Sequence, residues 1–220
     1  MRNEEYFAEL KEICRLACHE RKACREGFEA LMRAETVPQI MQVWKNNWDD
    51  VFRSRYADIV VKKLDEVNPD MIAELRAGGV YVNADSEEGY VIISHPERPV
   101  NVGGTARAYI FTPAVVSATD NAQVYCRTGG SRIVLHGHSY CRCDSAETMV
   151  SVFNFAKAEG VMQCHTYNAA EVTINGGRLC DSGHRRIAAN GGTMVYSNFT
   201  KGITLGPQCR QFPFNEQEAL

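Results

Sequence analysis

The sequence of 220 residues has no long apolar stretch and no recognisable catalytic motif. Its longest apolar runs are about four residues, as in Tyr90–Ile93, whereas a membrane-spanning helix needs about 20, so no membrane association is predicted. The N-terminal Met-Arg-Asn-Glu-Glu is polar, which predicts a cytoplasmic protein without a signal peptide. There is no nucleophile elbow, zinc-protease motif, Gly-rich phosphate loop or dinucleotide fingerprint, and no cofactor is predicted.

Acidic residues are scarce in the second half of the chain. Residues 100–206 carry nine basic and six acidic side chains, whereas residues 1–99 carry 14 basic and 19 acidic ones. Glycoside-cleaving enzymes need a close pair of carboxylates, and no strand of the second half offers one. The composition therefore predicts a protein that is not an enzyme, with an Arg-rich half that suits an anionic partner.

Nine cysteines are present, but they do not indicate a disulfide scaffold. The number is odd, no secretion signal is visible, and a chain of this length can bury a core without covalent bridges. Reduced thiols are therefore expected.

The N-terminal part of the chain, as far as Gly79, follows the periodicity of helices. Apolar residues at three- and four-residue spacing predict helices over 6–18, 24–32 and 48–64. Thr36, followed by Pro38 and then by Gln39, is the capping-box signature of another helix start. Pro69 opens a further short helix that Gly78 and Gly79 end. Two strands, Val80–Val82 and Tyr90–Ile93, are expected to close this domain.

From Asn101 onward, short strands recur at an eight-residue rhythm. Ala106, Ala114 and Ala122 are spaced by eight residues, and small or apolar residues alternate with polar ones within each unit. Corners rich in Gly, Asn, Asp and Ser separate the units, without the two-residue turns of an antiparallel meander. The pattern favours a parallel β-solenoid over a sandwich of hairpins.

The predicted fold class is therefore α+β, a helical domain followed by a short β-solenoid. Its ranges are residues 1–99 for the helical domain with its strand pair, 100–207 for the solenoid, and 208–220 for a C-terminal cap or tail. Three strands per coil would give about 24 residues a turn and four or five coils. The eight-residue rhythm fits a right-handed coil better than the coil of a strict hexapeptide repeat.

The stretch from Cys14 to Met32, the segment Thr36 to Ile40, Gly78–Val82 and the octad tail together resemble a family of small proteins of unknown function. These proteins occur in phages and mobile elements of gut-type anaerobic bacteria. The resemblance implies an accessory protein that acts in a bacterial host cell and binds and inhibits a host protein or ribonucleoprotein. A nuclease-based defence system is the specific expectation, which would make the protein anti-CRISPR-like. The family has no assigned catalytic residues, and the resemblance leaves the oligomeric state open.

Arginines that alternate with inward residues are the predicted binding residues of the solenoid. If the coils align them, they form a ladder for phosphate groups of RNA or DNA, or for an acidic protein face, and tyrosines beside them could offer stacking surfaces. The candidates are Arg107, Arg127, Arg132, Arg142, Arg178, Arg185, Arg186, Tyr125 and Tyr140. The alternative interpretation is the solvated outer face that every solenoid needs.

Cysteine and histidine clusters leave a second hypothesis open, a zinc protein or metal-dependent enzyme. Its candidate ligands are Cys14, Cys18 and Cys24 in the first helices, with His136 and His138 on one side of a solenoid strand. Cys14 and Cys18 also fit the apolar stripe of a helix, where cysteine behaves as a small hydrophobe. A third hypothesis, a glycan-binding solenoid, would require rows of exposed aromatic rings.

Overall fold

The computed structural model describes residues 3–47 and 69–215, which belong to two compact units, Met1–Val82 and Asn83–Leu220. The described part of the first unit has four helices and one strand. They are α1 (Asn3–Arg21), α2 (Arg25–Arg33), α3 (Val37–Asn46), α4 (Pro69–Ala77) and β1 (Val80–Val82). None of these helices is both long enough and apolar enough to cross a membrane.

The helix starts and the small helical core follow from the sequence. Thr36 caps α3 as predicted: its Oγ1 accepts a hydrogen bond from the Gln39 amide at 3.4 Å, and the Gln39 side chain accepts one from the Thr36 amide at 3.2 Å. Lys11 donates to the Met32 and Ala34 carbonyls at the end of α2, at 2.8 and 2.7 Å. The buried side chains include Leu10, Cys14, Leu31, Ile40, Trp44 and Leu75. The helix predicted over 48–64 lies outside the described residues.

The second unit is a parallel β-solenoid of about eight turns, which confirms the predicted class of fold. Its strands are β2 (Tyr90–Ile93), β3 (Val100–Val102), β4 (Arg107–Ile110), β5 (Val115–Ala118), β6 (Gln123–Cys126), β7 (Arg132–Leu135), β8 (Tyr140–Phe153), β9 (Lys157–Tyr167), β10 (Glu171–Asp181), β11 (Arg186–Ala189), β12 (Met194–Ser197), β13 (Ile203–Leu205) and β14 (Arg210–Phe212).

Each coil contributes one strand to each of two parallel ladders. The first ladder contains β2, β4, β6, the first halves of β8, β9 and β10, then β11 and β13. The second ladder contains β3, β5, β7, the second halves of β8, β9 and β10, then β12 and β14. The three long strands cross from one ladder to the other, and the register shifts in the middle of each crossing.

The size of the coil corrects the expectation of three strands per turn. Arg107 pairs with Gln123, which lies two octads further along the chain. Lys157 pairs with Glu171, which follows it after slightly fewer residues. One octad is a strand with its corner, and two octads close a flattened coil, so equivalent positions recur at about every second octad. Ala106 therefore belongs to the same row as Ala122, whereas Ala114 belongs to the other side of the coil.

The limits of the solenoid also differ from the sequence-based ranges. β2, expected in the helical domain, pairs in parallel with β4, and the two units divide between Val82 and Asn83 rather than after residue 99. At the other end, β14 pairs in parallel with β12, so the described part of the tail continues the coil.

The interior of the solenoid consists of rows of small and apolar side chains in register. One row of the second ladder runs Val116, Ile133, Val150, Cys164, Leu179 and Val195. Cys141 and Cys143 point inward, in register with Val124 and Cys126 of the first ladder. All nine cysteines are free thiols.

Candidate interaction surface

The arginines predicted to form one ladder lie on two different faces. Arg107, Arg142 and Arg186 point outward from the first ladder, with Arg185 just before β11. Arg132 and Arg178 point outward from the second ladder, where Arg210 joins them. Arg127 lies at the corner that follows β6. The two groups must therefore be assessed separately.

Most charges on the first ladder compensate one another, whereas Arg107 forms no ion pair with a described residue and lies over the Tyr90 ring at 6.0 Å. Lys157 Nζ lies 2.8 Å from one Glu171 carboxylate oxygen, and Arg185 lies 3.3 Å from the other. The hydrogen bond from Lys157 holds the pKa of Glu171 below its usual range. Arg142 lies 3.9 Å from Asp144 and 4.0 Å from Glu159. Alternating charges of this kind are typical of a solvated outer face.

The second ladder has a different outer surface, which we call the basic face. One residue per coil forms its main row, in the order Val115, Arg132, Met149, Gln163, Arg178, Met194 and Arg210. The neighbouring outward row runs Ser117, Val134, Ser151, His165, Cys180, Tyr196 and Phe212. The two outward rows contain no lysine and no carboxylate, and the acidic residue of the paired segments, Asp181, points inward. Glu147, exposed two residues before Met149 in β8, lies at the edge of the face.

The basic face combines positive charge with exposed apolar side chains. Val115 is 47% exposed, Met149 40% and Met194 45%, although each is large and apolar. Arg132 forms no ion pair with any residue that the structure describes, whereas Arg178 packs over the Tyr196 ring at 4.4 Å. Arginine, methionine and aromatic residues are enriched in protein interfaces, and lysine, glutamate and aspartate are depleted. The face therefore shares the composition that is common in protein interfaces.

A groove lies beside the start of the basic face. It has a volume of about 330 Å³, and its lining includes Pro96, Pro99, Pro113, Val115 and Arg132. Proline fixes its own backbone dihedral φ, which stiffens the walls of the groove. The groove adds a concave element with apolar walls and a mixed charge, because Glu97 lines it together with Arg98 and Arg132.

The predicted tyrosine stacking surfaces are occupied by other rings. Tyr125 stacks on Tyr109 with ring centroids 4.9 Å apart and an interplanar angle of 8°, and Tyr140 meets Tyr125 edge-on at 6.3 Å. On the second ladder, Phe153 stacks on Tyr167 at 4.4 Å. Both faces of Tyr109 and both faces of Phe153 are covered by rings of neighbouring coils. Phe155 and Phe199, in contrast, are 51% and 45% exposed, so the glycan-binding hypothesis stays open.

The candidate metal ligands are dispersed, each in a separate environment. Cys14 is buried in the helical core, where burial raises its pKa to about 12, and the Cys24 sulfur caps α2 by accepting a hydrogen bond from the Gly27 amide. His136 stacks on Phe153 and His138 stacks on Phe155. Cys18 is half-buried on α1. Across residues 3–47 and 69–215, no three His, Cys, Asp or Glu side chains gather as metal ligands would.

Sequence reasoning missed a buried polar cluster around Asp181. Its carboxylate accepts hydrogen bonds from Thr166 Oγ1 at 2.7 Å, from the Gly183 amide at 3.0 Å and from Ser197 Oγ at 2.5 Å. His184 Nδ1 lies 2.8 Å from the same carboxylate. Thr166, Asp181 and Ser197 occupy one inward row of the second ladder. Their regular spacing, close to two octads, is the signal that, with the correct coil length, would have revealed the cluster.

The cluster has the residue types of a hydrolase triad but not its order. In a triad the imidazole lies between the serine and the carboxylate, so that it can take the proton of the hydroxyl. Here Asp181 lies between Ser197 and His184, and the other imidazole nitrogen lies 2.8 Å from the Lys201 carbonyl oxygen. Ser197 is 3% exposed. The cluster therefore fastens successive coils to each other.

Comparison of the chain with protein-family models, curated proteins and solved structures found no match.

Proposed function

We propose that this protein is a non-enzymatic binding protein whose basic face docks onto an acidic surface of another protein. The observation that supports the proposal is the composition of that face. Arginines and exposed apolar side chains alternate along it, and its two outward rows contain no carboxylate, with Glu147 at their edge. A parallel ladder holds these side chains at fixed spacing before the partner arrives. Little conformational entropy is then lost on binding.

The biological setting is also a proposal. By its resemblance to phage and mobile-element proteins, we infer that the chain acts in the cytoplasm of a bacterial host. There it inhibits a host protein or ribonucleoprotein, with a nuclease-based defence complex as the specific target. Docking onto such a complex would block it sterically, and no catalytic residue would be needed. We also propose that the coil of the solenoid is right-handed.

Capture from a bacterial lysate with matched variants tests the proposed surface. The variant Arg132→Glu/Met149→Asp changes the basic face, and Arg107→Glu/Thr173→Asp makes the same change in charge on the first ladder. The wild type and the first-ladder variant should capture the same partner, and the basic-face variant should capture at least about tenfold less. Nuclease treatment separates a partner held by protein contacts from one held through RNA.

Equal capture by both variants would show that the partner does not dock onto the basic face, which contradicts the proposed function. If the wild type captures no specific partner, the proposed function is wrong.

A further inference from the structure

The main row of the basic face repeats at the distance that separates coils. Parallel strands lie about 4.8 Å apart, so Val115, Arg132, Met149, Gln163 and Arg178 present one side chain every ~4.8 Å along the coil axis. Their chemistry runs apolar, basic, apolar, neutral, basic. A partner that follows this row must supply one suitable side chain at the same interval.

An α-helix comes close to that interval. It advances about 5.4 Å per turn, so a helix parallel to the coil axis drifts by only ~0.6 Å per coil, or roughly 2.4 Å over four coils. The long side chains of Arg132, Met149 and Arg178 can absorb such a difference. An extended strand places side chains on one face about every 6.8 Å, and it would lose register by ~2 Å at each coil.

The side chains of the face also discriminate between classes of partner. A nucleic acid would contact Arg132 and Arg178 through its phosphates. Its charged backbone would then also cover the apolar side chains of Val115 and Met149, which gain nothing from that contact. The stacked aromatic rings offer it closed faces. A helix with apolar residues and carboxylates in alternate turns would satisfy both kinds of side chain.

Resting on the proposed function, we propose that the basic face binds an acidic amphipathic helix of the partner, lying along the coil axis with one contact residue per coil. Leucine-type side chains pack on Val115 and Met149, and carboxylates pair with Arg132 and Arg178. The groove beside Val115 takes the first apolar side chain, because Pro96, Pro99 and Pro113 give it apolar walls.

A pair of synthetic helical peptides tests this inference. The first carries leucines at the turns that face Val115 and Met149, glutamates at the turns that face Arg132 and Arg178, and glutamine between them. The second has the same composition and net charge but exchanges the leucines with the glutamates. Binding is measured by fluorescence anisotropy, and the Met149 methyl resonance reports where the peptide binds.

The first peptide should bind and shift the Met149 resonance, and the exchanged peptide should bind at least about tenfold more weakly. Arg132→Glu should weaken the first peptide at least about tenfold, whereas Arg107→Glu on the first ladder should leave it unchanged. Equal binding of both peptides, binding that leaves the Met149 resonance unmoved, or no binding would overturn the inference. So would tighter binding of a single-stranded RNA oligonucleotide.

The outcome separates this inference from the proposed function. If the basic-face variant loses its lysate partner but the peptides do not discriminate, the face binds proteins and the helix is wrong. If that variant keeps its partner, the proposed function itself fails.

Discussion

Replacement of Asp181 by alanine is expected to loosen the last coils of the solenoid. The Asp181 carboxylate is 1% exposed and accepts three hydrogen bonds from Thr166, Gly183 and Ser197, with His184 as its fourth neighbour. A hydrogen bond to a charged group contributes about 1.5–3 kcal/mol, and a buried donor left without its acceptor costs about 1–3 kcal/mol. Because these terms are not additive, we expect Asp181→Ala to lower the free energy of unfolding by about 3–5 kcal/mol.

The lost stability should come from the hydrogen-bond donors that no longer have an acceptor, and not from the smaller volume of the alanine side chain. The triple variant Thr166→Val/Asp181→Leu/Ser197→Ala makes the row apolar, as Leu135 and Val152 already are in earlier coils. It should recover roughly half of the loss, because the hydroxyl donors are gone while Gly183 and His184 still lack their acceptor.

Urea unfolding followed by circular dichroism gives the free energies by linear extrapolation. Because the two units can unfold separately, amide hydrogen exchange must localise the effect. Protection of β12 should fall, and protection of β4 should stay as in the wild type. A loss below about 1 kcal/mol for Asp181→Ala, or a triple variant no more stable than the single one, would refute the role of the polar row.

Two further predictions concern single positions of the solenoid. Gly160 has φ +115°, and a Cβ there would lie 1.9 Å from the Cys143 carbonyl oxygen, so Gly160→Ala should cost at least about 2 kcal/mol in urea unfolding. Gly192→Ala is the control, since its Cβ meets nothing within 4 Å, and a loss equal to that of Gly160→Ala would contradict the steric argument. Because Lys157 lowers the pKa of Glu171, the ion pair stabilises the fold above the ordinary value of 4.5 and is lost as the pH falls through the lowered pKa. Glu171→Gln should therefore be less stable than the wild type by up to about 1 kcal/mol at pH 7, and the difference should shrink as the pH falls below 4.5; a constant difference over the whole acid range would show that the charge is irrelevant.

Several elements were predictable from the sequence because their causes are local. The capping box of Thr36 and Gln39 and the helix that opens at Pro69 depend on residues close in the chain. The alternation of inward and outward side chains is equally local, since successive residues of a strand point to opposite sides. It placed Arg132 and Arg142 outward, as the structure has them.

The candidate surface was only partly predictable, because the number of strands per coil decides which residues become neighbours. The sequence identified the arginines but not the ladder to which each belongs. Arg142 approaches Glu159 only because they lie one coil apart in register, and the same geometry aligns Arg132 with Val115 and Met149. No local feature of the sequence measures that period directly.

The sequence by itself determined the class of this fold, a helical region followed by a parallel solenoid, since periodicity and turn residues suffice for that. Only the tertiary structure decided that two octads close each coil, that most charges of one ladder are compensated, and that the other ladder presents arginines beside exposed apolar side chains. The physical reason is that a side chain's neighbours across coils are set by strand register. That register forms between positions two octads apart in the chain, beyond the reach of local propensity.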